Sequence, residues 1–349
     1  MPSLKKLSIC IPTYNFGKFI GETIDSILPQ MNTSVELIIV DGASTDNTEQ
    51  IVLTYIKNSK HSIIYHRLPQ KGGIDRDMEC SVTFASGEYI WLFSSDDLMK
   101  KGAISRALLE IESGLDVYLI SYSLCNFDME KIIDFHMFYD HQDRIFDLSN
   151  KEQRQMYFKN ARNSEPFFSF MSSLILNRKK WNESSVNSIY YGTCWAHVPR
   201  IFNFMPTGLK VKVITDSLLD KRSGNDSFMD KGVIHRVGIA IYGYTKIADD
   251  IFGHNSFEAF HVNRVLRNEF GLRTLLFLKS QATNAHDLSQ INKMACILYQ
   301  KSILSCRIAN IIFKLFSVKT CRYIHKVRKT IRESLKKSKK PLMYKNLSQ

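Results

Sequence analysis

Short apolar runs alternate with segments of helical periodicity along the first 125 residues. The apolar runs predict five buried strands, at Leu7–Ile11, Val35–Val40, Ile63–Arg67, Tyr89–Phe93 and Val117–Ser121. Between the first two runs, apolar residues recur at the spacing of a helix that Pro29 ends. Strands that alternate with helices are typical of a doubly wound, mostly parallel sheet, so we predict an α/β fold.

Polar residues follow four of these runs at the point where each strand ends. The clusters are Tyr14–Asn15, Asp41, Gly72–Asp77 and Asp96–Asp97. The carboxyl ends of parallel strands lie at one edge of a sheet, and ligands bind along that edge. We therefore expect these four loops to face one crevice.

The pattern changes after residue 125. It predicts a long strand over Phe167–Leu176, an aromatic loop over Tyr190–His197, and a strand over Val211–Leu219 that leads into the polar loop Arg222–Ser227. From about His235 onward the periodicity is helical. A helical C-terminal region is therefore expected after the α/β part.

Composition places the chain among folded soluble proteins, with 44% hydrophobic and 23% charged residues in a length of 349. No segment approaches the roughly 20 apolar residues that span a bilayer, and we expect no signal peptide. The seven cysteines are scattered and form no C-x-x-C pair, which disfavours a zinc site or a disulfide framework. The expected location is cytoplasmic.

The net charge of +13 lies in the last 49 residues, which hold 14 Lys and Arg against one acid, while the other 300 residues are balanced. A neutral body with a basic tail argues against a nucleic-acid-binding protein. Leu304, Ile308, Ile311 and Leu315 recur at helical spacing ahead of the basic run. We expect this tail to bind an anionic membrane surface, at the inner face of the cytoplasmic membrane. A core-packing helix followed by a solvated end is the alternative.

Three motifs in order resemble glycosyltransferase family 2, whose members have the GT-A fold. They are Ser8–Asn15, Val40–Thr48, and Gly87–Ile90 leading into Asp96-Asp97. The resemblance implies an enzyme of the hexosyltransferase type (EC 2.4) that uses a nucleotide-sugar donor. It also implies a GT-A domain over residues 1–230, with a donor half at about 1–125 and an acceptor half at about 126–230, before the helical region 231–349.

Further segments resemble bacterial O-antigen transferases that add a 3,6-dideoxyhexose such as abequose. They are Gly73–Asp77, Ser172–Ile175, Tyr191–Thr193 with His197, and Arg222–Phe228. This narrower resemblance implies a CDP-linked donor and a lipid-linked oligosaccharide acceptor. Another donor within the same family is the alternative.

The resemblance implies the following donor-binding residues: Pro12, Tyr14, Asn15, Asp41, Asp75, Arg76, Asp96, Arg222 and Ser227. In the family the position of Asp41 contacts the base, and the loop that begins at Arg222 closes over the diphosphate, where Arg suits a phosphate. The alternatives are structural: Asp41 can stabilise its loop, Asp75 and Arg76 can form a helix-start ion pair, and residues 222–227 can be a surface turn.

Asp96 matches the metal-binding position of the family, which implies Mg²⁺ or Mn²⁺ as cofactor. The usual Asp-x-Asp-Asp motif is Ser94-Ser95-Asp96-Asp97 in this chain, so its first carboxylate is absent. A solvated pair of acids at a strand end is the alternative. Asp97, beside the metal position, is a catalytic candidate.

Inverting transfer requires a base that deprotonates the acceptor hydroxyl. The family usually supplies an aspartate, and Cys194-Trp195-Ala196-His197 stands in the corresponding region of this chain. We therefore predict His197 as the base or as an acceptor-positioning residue. A structural histidine is the alternative.

One other enzyme class can combine a doubly wound sheet with aspartate-bound metal, namely the nucleotidyltransferases. These need a glycine- and lysine- or arginine-rich phosphate loop near the first strand, and the segment Ile11–Phe16 does not supply it.

Overall fold

The computed structural model describes residues 5–229, 231–300 and 303–338. Contacts divide the chain into two compact units, residues 1–228 with 242–266 and residues 229–241 with 267–349. The first unit therefore includes a segment from beyond residue 230. The domain boundary at residue 230 stays a prediction.

The described part of the first unit contains a ten-stranded sheet. Its strands are β1 (Leu7–Thr13), β2 (Val35–Asp41), β3 (Ile63–Arg67), β4 (Tyr89–Leu92), β5 (Leu98–Met99), β6 (Val117–Cys125), β7 (Lys131–Phe135), β8 (Arg144–Asp147), β9 (Leu174–Asn177) and β10 (Lys210–Lys221). The main path runs β3-β2-β1-β4-β9-β6-β10-β5, with β7 beside β6 and β8 beside β10. The pairs β1–β2, β2–β3, β1–β4 and β6–β10 are parallel, and β9 is antiparallel to both of its neighbours.

Helices cover the sheet and follow its strands. The helices that contribute to the first unit are α1 (Ile20–Ile27), α2 (Thr48–Asn58), α3 (Ile74–Thr83), α4 (Ala103–Ile111), α5 (Lys151–Asn160), α6 (Arg178–Glu183), α7 (His197–Phe202), part of α8 (Gly232–Phe252) and most of α9 (Phe257–Glu269). All residues of β1, β2 and β4 are buried, since helices and loops cover both faces. The prediction of an α/β fold with a mostly parallel sheet and a C-terminal helical region is confirmed.

The predicted strand over Phe167–Leu176 is wrong for most of its length. Glu165–Phe167 and Met171–Ser173 form 3₁₀ turns, and only Leu174–Asn177 is a strand. The rings of Phe167 and Phe168 are both fully buried, and Phe168 has a φ of +66°. The apolar run therefore reflects a folded-back segment with two consecutive rings in the core, and a buried apolar run does not by itself specify a strand.

The second unit is helical, as predicted. Its complete helices are α10 (Leu272–Gln281), α11 (Ala285–Tyr299), α12 (Ile303–Leu315) and α13 (Val318–Ser338). Arg322 of α13 donates to the carbonyls of Ser280 and Ala282, at the end of α10, and Lys279 donates to the carbonyl of Phe313. Among the described residues, no helix has the length and apolar character required to cross a membrane.

Candidate active site

The loops after β1 and β2 are locked together at one edge of the sheet. Thr13 and Asp41 are register partners at the ends of these parallel strands. Asn15, with a φ of +57°, donates its N–H to Ser44 Oγ at 2.8 Å and accepts the N–H of Thr45 at 2.7 Å. The predicted donor residue Asn15 thus has a structural role in joining the two loops.

The other predicted donor residues after β1 lie beside these loops. Pro12 is buried within β1, opposite Val40 of β2. The half-buried ring of Tyr14 is 4.0 Å from the ammonium of Lys71, in the loop before α3. The ring of Tyr14 therefore holds the Lys71 ammonium, a group that can bind phosphate, at the same edge of the sheet.

Asp41 is fully buried at the end of β2. Its Oδ1 accepts the N–H of Ser44 at 2.7 Å, and its Oδ2 accepts the hydroxyl of Tyr65 at 2.8 Å. Burial, followed by the bond to Asp41, raises the pKa of Tyr65 well above its usual range, so the hydroxyl remains a donor. Asp41 therefore stabilises its loop, which the sequence left open as an alternative. Contact of Asp41 with the nucleobase of the donor stays a prediction.

Asp77 lies beside Asp41 and was not singled out as a site residue by the sequence. It is 2% exposed, and its Oδ1 has no hydrogen-bond partner among the residues that the structure describes. A Cβ on Gly42 would lie 2.4 Å from its Oδ2, and one on Gly72 would lie 2.7 Å from its Oδ1. Two glycines in the crevice loops therefore leave room for this carboxyl group.

Burial, followed by the charge of Asp41, raises the pKa of Asp77 from 3.8 to about 6. A folded-state pKa above the unfolded value means that ionising Asp77 destabilises the fold, progressively from pH 4 to pH 6. Asp77→Asn removes this ionisation. We expect the free energy of unfolding of the variant, relative to wild type, to rise by about 2 kcal/mol between pH 4.5 and pH 7, because the cost of ionising Asp77 develops over this range. Urea denaturation across this range measures the difference, and a difference independent of pH would contradict the assigned pKa.

Asp96 and Asp97 follow β4 and have different surroundings. Asp96 is half-buried, and its two oxygens accept the hydroxyl of Ser94 and the amide of Asn225. Asp97 is 2% exposed, accepting the hydroxyl of Ser172 at 2.6 Å and the N–H of Arg222 at 3.1 Å. Burial, followed by the charge of Asp96, raises the pKa of Asp97 to about 7. Asp96 is thus the accessible carboxylate of the pair, and Asp97 lies beneath it.

The donor set at Asp96 fits a divalent cation that is shared with a diphosphate. In the described part of the chain, no three His, Cys, Asp or Glu side chains form a metal-binding group. Mg²⁺ commonly takes one or two protein carboxylates together with substrate phosphates and water. Asp96 supplies one such carboxylate, held in place by Ser94 and Asn225.

Arg222 connects the segments around the acidic pair. Its guanidinium donates to the carbonyls of Asp96 at 3.1 Å and Phe127 at 2.6 Å, and to the carboxylate of Glu22. The residue is 7% exposed, and its guanidinium lies 5.0 Å from the ring centre of Phe19. Three of its five N–H donors therefore bind groups within the chain, so the geometry favours a structural role for Arg222. Contact of Arg222 with a phosphate stays a prediction.

The loop after Arg222 contacts Asp96 of the acidic pair. Ser223 donates to the carbonyl of Cys125 at 2.6 Å, and Asn225 contacts Asp96. Asn225, a member of the predicted polar loop that was not predicted to bind the donor, thus connects residues 222–227 to the acidic pair. The side chain of Ser227 lies outside the described residues, and its role stays a prediction.

Asp75 contacts the backbone of the aromatic loop that the sequence predicted, and His197 is the last residue of that loop. Asp75 does not cap α3, which begins after Gly73 without a side-chain cap. Its carboxylate accepts three backbone N–H groups from residues 192–196. Arg76 is exposed, with its guanidinium 5.4 Å from the ring centre of Tyr191. The predicted donor-binding roles of Asp75 and Arg76 stay predictions.

His197 begins α7 and is 4% exposed. Its Nε2 is 2.8 Å from the carbonyl of Phe168, and its Nδ1 has no partner in the described part of the chain. Burial lowers its pKa, so the ring is neutral near pH 7. The buried ring and its contact with a backbone carbonyl agree with the alternative of a structural histidine, and the roles as base or as acceptor-positioning residue stay predictions.

Several known proteins are similar in sequence to the part of the chain that forms this site. The family model described as "Glycosyl transferase family 2" matches residues 8–178. The abequosyltransferase RfbV of Salmonella typhimurium is 31% identical over 298 residues, which cover 83% of this chain and 90% of that protein. A second relative is a glucosyltransferase of Campylobacter jejuni whose name includes GalNAc(5)-diNAcBac-PP-undecaprenol. It is 25% identical over 198 residues, which cover 56% of this chain and 60% of that protein.

Solved structures agree on the fold. The structure of Staphylococcus aureus TarS residues 1–349 with UDP-GlcNAc superposes with a TM-score of 0.61 at 20% identity, covering 94% of this chain and 92% of that chain. A mannosyltransferase from Pyrobaculum calidifontis in complex with GDP-Man and Mn²⁺ gives a TM-score of 0.50 at 14% identity. Since a relative more than 30% identical matches most of both chains, the protein belongs to glycosyl transferase family 2 and is a glycosyltransferase with the GT-A fold.

Proposed function

We propose that this glycosyltransferase moves a 3,6-dideoxyhexose, such as abequose, from a CDP-linked donor to a lipid-linked O-antigen oligosaccharide. The observation that carries the proposal is the 31% identity to a protein named abequosyltransferase along 83% of the chain. That match is much longer than the family model over residues 8–178. It therefore extends into the part of the chain where we place the acceptor.

The crevice suits a nucleoside diphosphate. We assign the binding of the nucleobase to the part of the crevice that contains Asp41 and Asp77. We assign the binding of the diphosphate to the part that contains Asp96. When bound there, Mg²⁺ or Mn²⁺ would neutralise the charge that develops on the leaving diphosphate. Ser94 and Asn225 orient the Asp96 carboxylate, and Arg222 holds the backbone of Asp96 against Phe127.

The acceptor hydroxyl must lose a proton during transfer. We propose that His197 acts by position, because its Nε2 contacts the carbonyl of Phe168 and its ring is buried. Asp97 accepts the hydroxyl of Ser172 and the backbone N–H of Arg222, so it orients two segments next to Asp96. Direct proton removal by His197 or Asp97 stays a prediction.

A donor panel tests the proposed function. Purified enzyme is incubated with CDP-, UDP-, GDP- and dTDP-linked sugars and an undecaprenyl-diphosphate-linked oligosaccharide, and the product is identified by mass and linkage analysis. We expect transfer from the CDP-linked 3,6-dideoxyhexose with release of CDP. Transfer of a different sugar would overturn the proposed donor. In a parallel assay with a nucleoside triphosphate and a sugar 1-phosphate, release of pyrophosphate with formation of the nucleotide sugar would support a nucleotidyltransferase instead.

We also propose that the C-terminal helices bind the inner face of the cytoplasmic membrane. In α12 and α13, apolar side chains remain exposed, with Leu315 72% and Ile331 54% accessible. Exposed basic residues share these helices: Lys314, Lys319, Lys326 and Arg328. Apolar and basic groups together favour an anionic lipid surface.

The membrane proposal predicts salt-sensitive binding to vesicles. We expect the protein to sediment with phosphatidylglycerol-containing vesicles, and to be released as NaCl is raised from about 0.1 to 0.5 M, because screening weakens the contribution of the basic residues. The double variant Lys326→Glu/Arg328→Glu should bind at least about tenfold more weakly, since each basic residue near the surface contributes about 1 kcal/mol. Equal sedimentation with purely phosphatidylcholine vesicles would contradict the electrostatic part of this proposal.

A further inference from the structure

Helix α3 holds the loop Gly192–Ala196 by a single buried carboxylate. Asp75, in the first turn of α3, is 6% exposed. Its Oδ2 accepts the N–H of Gly192 at 2.8 Å and that of Cys194 at 3.0 Å, and its Oδ1 accepts the N–H of Ala196 at 2.9 Å. Three alternate residues of the loop thus direct their amides to one side chain.

The backbone of this loop has the conformation of an anion-binding concavity. Gly192 has a φ of +89° and Cys194 a φ of +70°, so left-handed residues alternate with others and turn successive amides to one side. A non-glycine residue such as Cys194 is strained at this φ. Charge-assisted hydrogen bonds to Asp75 offset that strain. The loop conformation therefore depends on the carboxylate that fills it.

A second carboxylate one turn further along α3 holds the flanks of the loop. Glu79 accepts the hydroxyl of Tyr191 and, at 2.6 Å, a guanidinium N–H of Arg200 in α7. Arg200 also donates to the carbonyl of Trp181 at 2.7 Å. Asp75 and Glu79 together fix both the loop and the helix that follows it.

The same helix also reaches the opposite part of the crevice. Asp77, between the two residues that hold the loop, lies against Gly42 and beside Asp41. Helix α3 therefore connects the part of the crevice that we assign to the base with the loop in the acceptor half. A rigid connection of this kind sets the distance and the angle between two substrates.

We propose that Asp75 and Glu79 are positioning residues that hold the loop Tyr191–Ala196 as the acceptor-side wall, in register with the donor site. This inference rests on the proposed acceptor half. Asp75 then serves transfer through the loop, without contact to the donor. Loss of its charge removes the loop conformation.

The test separates transfer to the acceptor from hydrolysis of the donor, in which water replaces the acceptor. In Asp75→Asn, an amide NH₂ can face the loop amides and the charge is lost. We expect transfer to the lipid-linked oligosaccharide to fall by at least about thirtyfold more than acceptor-free hydrolysis of the donor, whereas loss of a direct donor contact would lower both equally. Amide hydrogen exchange of residues 190–197 should become faster.

Two further variants make the result specific. Glu110→Gln is the matched control, because Glu110 is equally buried and pairs with Arg106 and Lys212 in α4 and β10, without contact to the loop. It should lower stability without changing the ratio of transfer to hydrolysis. Tyr191→Phe removes one contact to Glu79 and should shift that ratio in the direction of Asp75→Asn by a smaller factor, which provides a test if Asp75→Asn does not fold.

The outcomes distinguish this inference from the proposed function. Equal loss of transfer and hydrolysis in a folded Asp75→Asn, or unchanged exchange of residues 190–197, would overturn the positioning role. If the wild-type enzyme transferred to no lipid-linked acceptor, the proposed function would fail. The exchange and hydrolysis measurements would still decide whether Asp75 holds the loop independently of the donor site.

Discussion

Replacement of Asp96 by asparagine is expected to lower kcat for sugar transfer by about a thousandfold, the upper part of the range for removing a charge-stabilising group. Asp96 is the half-exposed member of the acidic pair, whereas Asp97 is buried beneath it. Asparagine has the same shape and can still contact Ser94, so folding should change little. The carboxylate that would hold the cation is lost, and with it the charge neutralisation on the leaving group. Initial rates at saturating donor and Mn²⁺ measure the effect.

Ser94→Ala provides the matched control for this prediction. It removes the hydroxyl that Asp96 accepts and retains the carboxylate. We expect a loss of about tenfold or less, because only the orientation of Asp96 is relaxed. If Asp96→Asn kept most of the wild-type rate, Asp96 would not be the residue that holds the cation.

Replacement of Arg222 by lysine should have the second largest effect, on both stability and activity. The ammonium group can replace at most part of the three contacts that Arg222 makes with Asp96, Phe127 and Glu22. Since buried carbonyls are left without donors, we expect the free energy of unfolding to fall by about 2–4 kcal/mol. Transfer should fall by about a hundredfold, because a loosened loop no longer places Asp96. Urea denaturation and steady-state kinetics measure the two effects.

Arg154→Lys is the control for Arg222. Arg154 has a comparable role elsewhere in the first unit, where it pairs with Glu258 at 2.8 Å and donates to the carbonyl of Leu148 at 2.8 Å. It should lower stability and leave the donor KM unchanged. If Arg222→Lys instead kept full stability and lost only donor affinity, the guanidinium would act directly on phosphate, as the sequence resemblance implies.

The sheet was predictable because buried parallel strands are continuous apolar runs that end in polar residues. Asp41 and Asp96 stand at two such ends, and the structure brings both to the same edge of the sheet. The strand predicted at Phe167 was wrong, because an apolar run specifies burial but not the path of the backbone. Consecutive buried rings at Phe167 and Phe168 satisfy the same pattern without pairing.

The partners of the site residues could not be predicted in the same way. Arg222 was identified as a member of a polar loop, but its bonds to Asp96 and Phe127 join positions about a hundred residues apart. Asp75 contacts backbone amides, which leave no residue type to recognise in the sequence. The only sequence feature related to Asp77 is the presence of glycine at positions 42 and 72. These glycines leave room for its carboxyl group, but that contact becomes visible only in the folded structure.

The assignment of the donor site to the crevice between Asp41 and Asp96 is tested most directly by calorimetric titration of CDP, with and without Mn²⁺, into wild type and Asp96→Asn. We expect Mn²⁺ to tighten CDP binding to wild type by at least about tenfold, since one carboxylate and the diphosphate share the cation. The variant should bind CDP equally weakly in both conditions. The same Mn²⁺ enhancement in Asp96→Asn, or no nucleotide binding by wild type, would contradict this assignment.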